Sequence, residues 1–202
     1  MMSGPSRRVA ALFAVCAAAT LCAQSPAPPS PTPSAPVSSA PSAFWIDVPF
    51  VAQPREGCGA ASLSMVMQYW AAQPGGQPQS GSNVAAIQRD LYSPADHGIP
   101  ASSMVNYLRH HGFLAIAFSG NWNDIEQQVR KGRPLIAALR PDGQTQLHYV
   151  VIDGVDTGRN LVMMNDPAER KLLTQERAGF EKDWSATHNW ILLAVPAAAN
   201  SR

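Results

Sequence analysis

The sequence predicts an α+β domain, with helices gathered in its first half and antiparallel strands in its second. Three observations carry this. Helical apolar periodicity runs through 58–71 and recurs at 83–92 and 102–111, ahead of any long strand. Apolar, strand-like runs dominate later, at 113–118, 134–139, 148–155, 161–166 and 189–195. Between the third and fourth, Asp156-Thr157-Gly158-Arg159-Asn160 is a hairpin signal, which joins antiparallel neighbours. Helices and strands segregated along the chain argue α+β rather than a doubly wound sheet.

The elements follow in order. A strand is expected at 45–51. The helix at 58–71 draws its apolar face from Ala61, Leu63, Met65, Val66 and Tyr69. Residues 73–82, rich in Gly, Pro and Gln, read as a surface loop. Asn83 caps a helix to about Tyr92, and Ser102 caps another that Gly112 stops. A short helix at 124–131 ends at Gly132 and leads directly into the buried strand 134–139. A helix is expected at 174–184, before the closing strand.

Residues 1–23 read as a secretory signal. Arg7-Arg8 give the positive end, and the alanine-rich run 9–21 is too short to span a bilayer comfortably. Cleavage is expected after Ala23. Lipidation at Cys22 is the alternative and would tether the N-terminus to a membrane, although Leu21 is bulky for that signal. Residues 24–43 hold seven prolines among Ser, Ala and Thr with no charge. Such a linker cannot bury a core and favours extended conformations. The folded domain is expected over 44–196, with a tail at 197–202, as an exported, periplasmic or extracellular monomer.

A formal net charge of +1 includes Arg7 and Arg8, so the mature chain is near neutral. No basic patch stands out, which argues against a nucleic-acid partner.

Three cysteines are present, Cys16, Cys22 and Cys58. The first two fall in the signal, so export leaves Cys58 as the lone thiol in an oxidising compartment, where a purposeless thiol is a liability. Most helical cysteines are small buried residues. Cys58, however, opens its helix. There the macrodipole and unpaired backbone N–H groups favour the thiolate, the nucleophilic form. Gly57 and Gly59 leave the sulfur uncrowded. Zinc is not indicated, because no Cys/His pair has ligand spacing.

A thiol nucleophile needs a base. His97, His110, His111 and His188 lie in a loop, at a helix end or at the start of the last strand. His148 opens the apolar run Tyr149-Val150-Val151-Ile152. A fold-back at Thr157 brings His148 opposite the Asn165-Asp166-Pro167 end of the next strand, where a carboxylate or amide can orient an imidazole. Alternation puts Asn165 and Asp166 on opposite faces, so only one of them can serve. An oxyanion also needs donors, and the Cys58 N–H and the Gln53 side chain are candidates.

Together these residues resemble a known family. Asp47-Val48-Pro49-Phe50-Val51-Ala52-Gln53, then Cys58-Gly59-Ala60-Ala61-Ser62-Leu63, is similar to the opening of the bacteriocin-processing, double-glycine cysteine peptidases and their stand-alone relatives. So are His148-Tyr149-Val150-Val151, the following Asn165-Asp166-Pro167, and the closing Trp190-Ile191-Leu192-Leu193-Ala194-Val195. The resemblance spans about residues 44–196. It implies a papain-like fold, with N-terminal helices packed on a C-terminal antiparallel sheet. It implies Cys58 as nucleophile, His148 as base, Asp166 as its orienter and Gln53 as oxyanion donor, with no metal or other cofactor. The partner implied is a peptide or protein substrate. The gap from Gln53 to Cys58 is one residue shorter than in the transporter-linked members. Those members hold the peptidase on the cytoplasmic side, whereas this sequence opens with an export signal, so cleavage after a double glycine is not carried over. Two other readings use the same residues. One is a catalytically silent peptide-binding domain. The other is an amide hydrolase or transferase acting on cell-wall peptides.

Overall fold

A computed structural model describes residues 42–197. The signal at 1–23, nearly all of the 24–43 linker and the tail beyond Ala197 lie outside the described residues. Five helices and seven strands are present among those described, and every strand pairing is antiparallel.

The first strand, β1, is only Ala43–Trp45. The expected strand to residue 51 stops early, because Pro49 has no N–H to offer a ladder. The chain is instead stitched down singly. Ile46 N–H donates to the Asp153 carbonyl, and the Val48 carbonyl accepts from Asn165 Nδ2 at 3.0 Å. The helix α1, Cys58–Ala72, follows. Residues 59–67 of it are buried on every side, as expected of a helix with few charged positions. Its serines are satisfied by distant carbonyls: Ser62 Oγ donates to Tyr149 and Ser64 Oγ to Ser82.

Asn83 caps α2, Val84–Leu91, through the Ala86 N–H, as the sequence predicts. The helix α3, Ala101–His110, begins after Pro100 rather than at Ser102: Pro100 is its N-cap in extended backbone, and its carbonyl accepts from the Met104 N–H. The helix α4, Trp122–Arg130, starts earlier than expected because Asn121 and Asp124 form a reciprocal capping box.

The strands are β2 (Phe113–Ser119), β3 (Leu135–Leu139), β4 (His148–Asp156), β5 (Leu161–Asp166), β6 (Arg170–Glu176) and β7 (Trp190–Pro196). Their order across the sheet is β2-β7-β3-β4-β5-β6, with β1 pairing the far end of β4. The sequence reading assigns 174–184 to one helix. The structure splits it into the end of edge strand β6 and a shorter α5, Arg177–Ser185. Pairing with β5 outweighs the local helical preference of Gln175 and Glu176.

Helices cover both faces of the sheet. Tyr149, Val151, Ile136, Ala138 and Leu192 pack with α1, α2 and α3 in one core. Val150, Ile152, Leu135, Ala137 and Ile191 pack with α4 and α5 in the other. This is why the central strands read as continuous apolar runs rather than alternating ones.

Candidate active site

The N-terminus of α1 meets the starting end of β4 and the finishing end of β5. Gly57 is the N-cap of α1, and no acidic residue occupies its first turn. Cys58 is therefore half-buried at a helix end whose free N–H groups are not neutralised. A Cβ on residue 57 would lie 2.5 Å from Pro54 Cγ and 2.9 Å from its carbonyl, so the turn admits only glycine there. The turn is closed by the Gly57 N–H donating to the Pro54 carbonyl at 2.9 Å.

His148 Nε2–H donates to Asp166 Oδ1 at 2.8 Å. The pairing is diagonal rather than directly opposite. Val151 faces Asn165 and Ile152 faces Met164, and a bulge between Ile152 and Gly154 shifts the remaining pairs by one. The symmetric register expected from the hairpin is thus corrected by two to three residues. A diagonal cross-strand pair is still within reach of a side chain as long as histidine. The tip itself is as expected: Asp156 Oδ1 accepts from the Gly158 and Arg159 N–H groups.

Asn165 takes the opposite role to Asp166. It is fully buried, donates to the Val48 carbonyl and accepts from the Leu172 N–H at 2.9 Å. It thereby ties the approach to α1 and the strand β6 to one side chain.

The electrostatics follow from the contacts. Burial is the largest influence on His148 and works downward. The hydrogen bond to Asp166, with the neighbouring Cys58 sulfur, outweighs it and lifts the imidazole to about 9. Burial likewise pushes Asp166 up, but the His148 contact and the backbone N–H groups of Ala168 and Glu169 bring it below the usual carboxylate value. At neutral pH the pair is an imidazolium on a carboxylate, which is the partner a thiolate requires.

Gln53 lines the same cleft as Cys58, His148 and Asp166, a cleft of about 920 Å³. Its Oε1 is buried without a hydrogen-bond partner. All four residues singled out from the sequence are thus brought to one cleft. Two others there, Glu56 and Tyr149, were not singled out. Glu56, with a left-handed φ of 53°, accepts from the Tyr92 hydroxyl and faces His97 Nδ1 at 3.6 Å. Tyr149 is 3% exposed and is one of the residues that line the cleft. Glu56 and Tyr149 each adjoin a stretch singled out for chemistry, and that adjacency was the available signal. Nothing in the sequence places Tyr92 near Glu56. Among the described residues no group of three or more His, Cys, Asp or Glu side chains is arranged to hold a metal ion.

A family model described as the Peptidase_C39 like family matches residues 45–191. The chain belongs to that family. Solved structures share its fold. A protein from Bacillus anthracis described as a C39-like peptidase is 16% identical, with a TM-score of 0.59, covering 78% of this chain and 99% of that one. The peptidase domain of Streptococcus ComA, a bi-functional ABC transporter of a quorum-sensing pathway, is 19% identical with a TM-score of 0.58, covering 74% and 99%. A double glycine motif protease from an AMS/PCAT transporter, solved with its leader peptide, is 21% identical with a TM-score of 0.54, covering 76% and 95%. No curated protein sequence matches the chain. At these identities the structural likeness establishes the fold, an α+β architecture of the papain-like kind. This C39-like domain therefore has the expected fold class and family.

Proposed function

We propose that the protein is an exported cysteine peptidase that hydrolyses peptide bonds through a thioester acyl-enzyme. The observation that carries this reading is the His148–Asp166 pair, held at 2.8 Å in the cleft that Cys58 opens onto. With Nε2 bound to Asp166, Nδ1 is the ring nitrogen left to serve the sulfur. The Cys58 sulfur attacks the substrate carbonyl carbon. The oxygen takes the negative charge and is received by the Cys58 backbone N–H and the Gln53 side-chain amide. The Gln53 oxygen is buried, which leaves its NH₂ end for this task. The His148 imidazolium gives its proton to the amine nitrogen, the C–N bond breaks and the thioester remains. Water then attacks the thioester, losing a proton to His148, and the thiolate leaves with the acid product released.

Cys58→Ser and His148→Ala are each expected to abolish peptide hydrolysis while preserving the far-UV circular dichroism spectrum. Retained turnover in either variant overturns the mechanism. Binding of peptides by a wild type that never turns them over favours the silent binding domain instead. Export rests on the 1–23 segment. A mature N-terminus at Gln24 after expression supports it, and an intact Met1 terminus in the cytoplasm refutes it.

A further inference from the structure

Pro54-Arg55-Glu56-Gly57 separates Gln53 from Cys58, and the Gly57 N–H donating to the Pro54 carbonyl closes it into a turn. The third residue of this turn, Glu56, has a φ of 53°. Turns with a left-handed third residue normally carry glycine or asparagine there, because a Cβ is disfavoured in that region. Such a conformation persists only where the contacts around it hold it in place.

The holding contacts come from α2. Its C-cap residue, Tyr92, donates its hydroxyl to Glu56 Oε2. One helical turn earlier, Gln88 Nε2 donates to the Arg55 carbonyl at 3.4 Å. The Tyr92 bond holds the Glu56 carboxyl below the usual carboxylate range, so at neutral pH the phenol meets an ionised acceptor. His97 Nδ1 also faces this carboxylate, at 3.6 Å, but its side chain is 60% exposed, which makes Tyr92 the stronger hold. The helix α2 is itself fixed. Ile87 is fully buried in the core it shares with α1, and Asn83 caps the helix start. Glu56 is among the residues lining the cleft, and Tyr92 is not. Were Glu56 to leave the left-handed region, Gly57 and the start of α1 would turn with it. The Cys58 sulfur and N–H would then shift against Gln53 and His148.

We propose that Glu56 and Tyr92 are a positioning pair. The hydroxyl–carboxylate bond holds Glu56 left-handed and so fixes the Cys58 sulfur where His148 can act on it. The proposal rests on the reading of Cys58 as the nucleophile, and neither residue of the pair takes part in the chemistry.

The test is the rate of Cys58 alkylation by iodoacetamide as a function of pH, read at the Cys58 peptide by mass spectrometry, with Tm measured alongside. Tyr92→Phe removes only the hydroxyl. It is expected to slow alkylation at pH 6 by about tenfold and to move the midpoint of the profile to higher pH. Glycine takes a left-handed φ freely, so in a Glu56→Gly background the same Tyr92→Phe change is expected to have no effect. Glu56→Ala loses the bond and keeps the strain, and is expected to react more slowly than Glu56→Gly. A Tyr92→Phe profile identical to wild type, an equal slowing in both backgrounds, or Glu56→Ala as fast as Glu56→Gly overturns the proposal. So does a fall in Tm with the pH midpoint unmoved, which marks a purely structural contact. His148→Ala reports on the nucleophile separately: a profile that coincides with wild type defeats the Cys58–His148 reading, whatever Tyr92→Phe does.

Discussion

The Gln53 backbone N–H donates to the Pro167 carbonyl at 2.9 Å. The residue before Pro167 is Asp166, which holds His148. The end of β5 therefore fixes two parts of the site at once, the imidazole through Asp166 and the approach to Cys58 through Gln53. Gln53 is held by its backbone N–H rather than by its side chain, whose buried Oε1 has no partner.

Gln53→Ala is accordingly expected to spare the fold and lower kcat. Loss of one oxyanion donor costs about 10²–10³ in kcat. Steady-state kinetics should place the effect on kcat with little change in KM, and a change in KM alone refutes the assignment.

The elevated His148 pKa makes a stability prediction. The folded value is about 9 against an ordinary 6.5, so the folded state holds its proton more tightly. The stabilisation is complete below pH 6.5, declines as pH rises, and is gone above about 9. Asp166 works in the other sense. Its lowered value gives stability above the ordinary carboxylate range, which is lost as pH falls through the folded value. The Tm advantage of wild type over His148→Gln should therefore shrink between pH 6.5 and 9.5. A constant difference across that window contradicts the pairing.

The turn before Cys58 tolerates no side chain at residue 57. Gly57→Ala forces a methyl against Pro54 and must displace the helix start. Overpacking of this kind typically costs about 1–3 kcal/mol. Loss of activity should exceed what the fall in denaturation midpoint explains, because the displaced atoms adjoin the sulfur.

Asp153 is fully buried in the bulge of β4, and neither carboxylate oxygen has a partner. Burial pushes its pKa up to about 7. The folded state thus holds a proton that the unfolded state releases from about pH 4 upward, and stability falls as pH rises between those values. Asp153→Asn is expected to raise Tm by about 5 °C at pH 8 and to have little effect at pH 4. Equal effects at both pH values refute this account.

The sequence makes part of this legible for identifiable reasons. Cys58, His148 and Asp166 sit at ends of elements whose periodicity is strong, so each can be placed at a strand or helix terminus, and Gln53 lies in the loop that leads into α1. The choice between Asn165 and Asp166 stays open, because alternation says that they differ but not which faces the imidazole. Two tertiary contacts, from Val48 and Leu172, settle it by burying Asn165. The strand β6 escapes notice because its residues are mostly exposed and gain their conformation from β5 alone. The Glu56–Tyr92 contact spans 36 positions and leaves no local trace.

The bulge at Asp153 acts on the β4–β5 hairpin as a frameshift acts on a message. Strand alternation has two phases, and one extra residue exchanges them. Beyond the bulge, toward the tip, the chain runs in one phase, and toward the site it runs in the other. Chain-length changes in this hairpin consequently differ in kind by where they fall. Removing one residue from 149–152 would bring Leu147 to the place of His148 and leave Cys58 facing a hydrocarbon. A change confined to the tip at 157–160 would be absorbed before reaching the site.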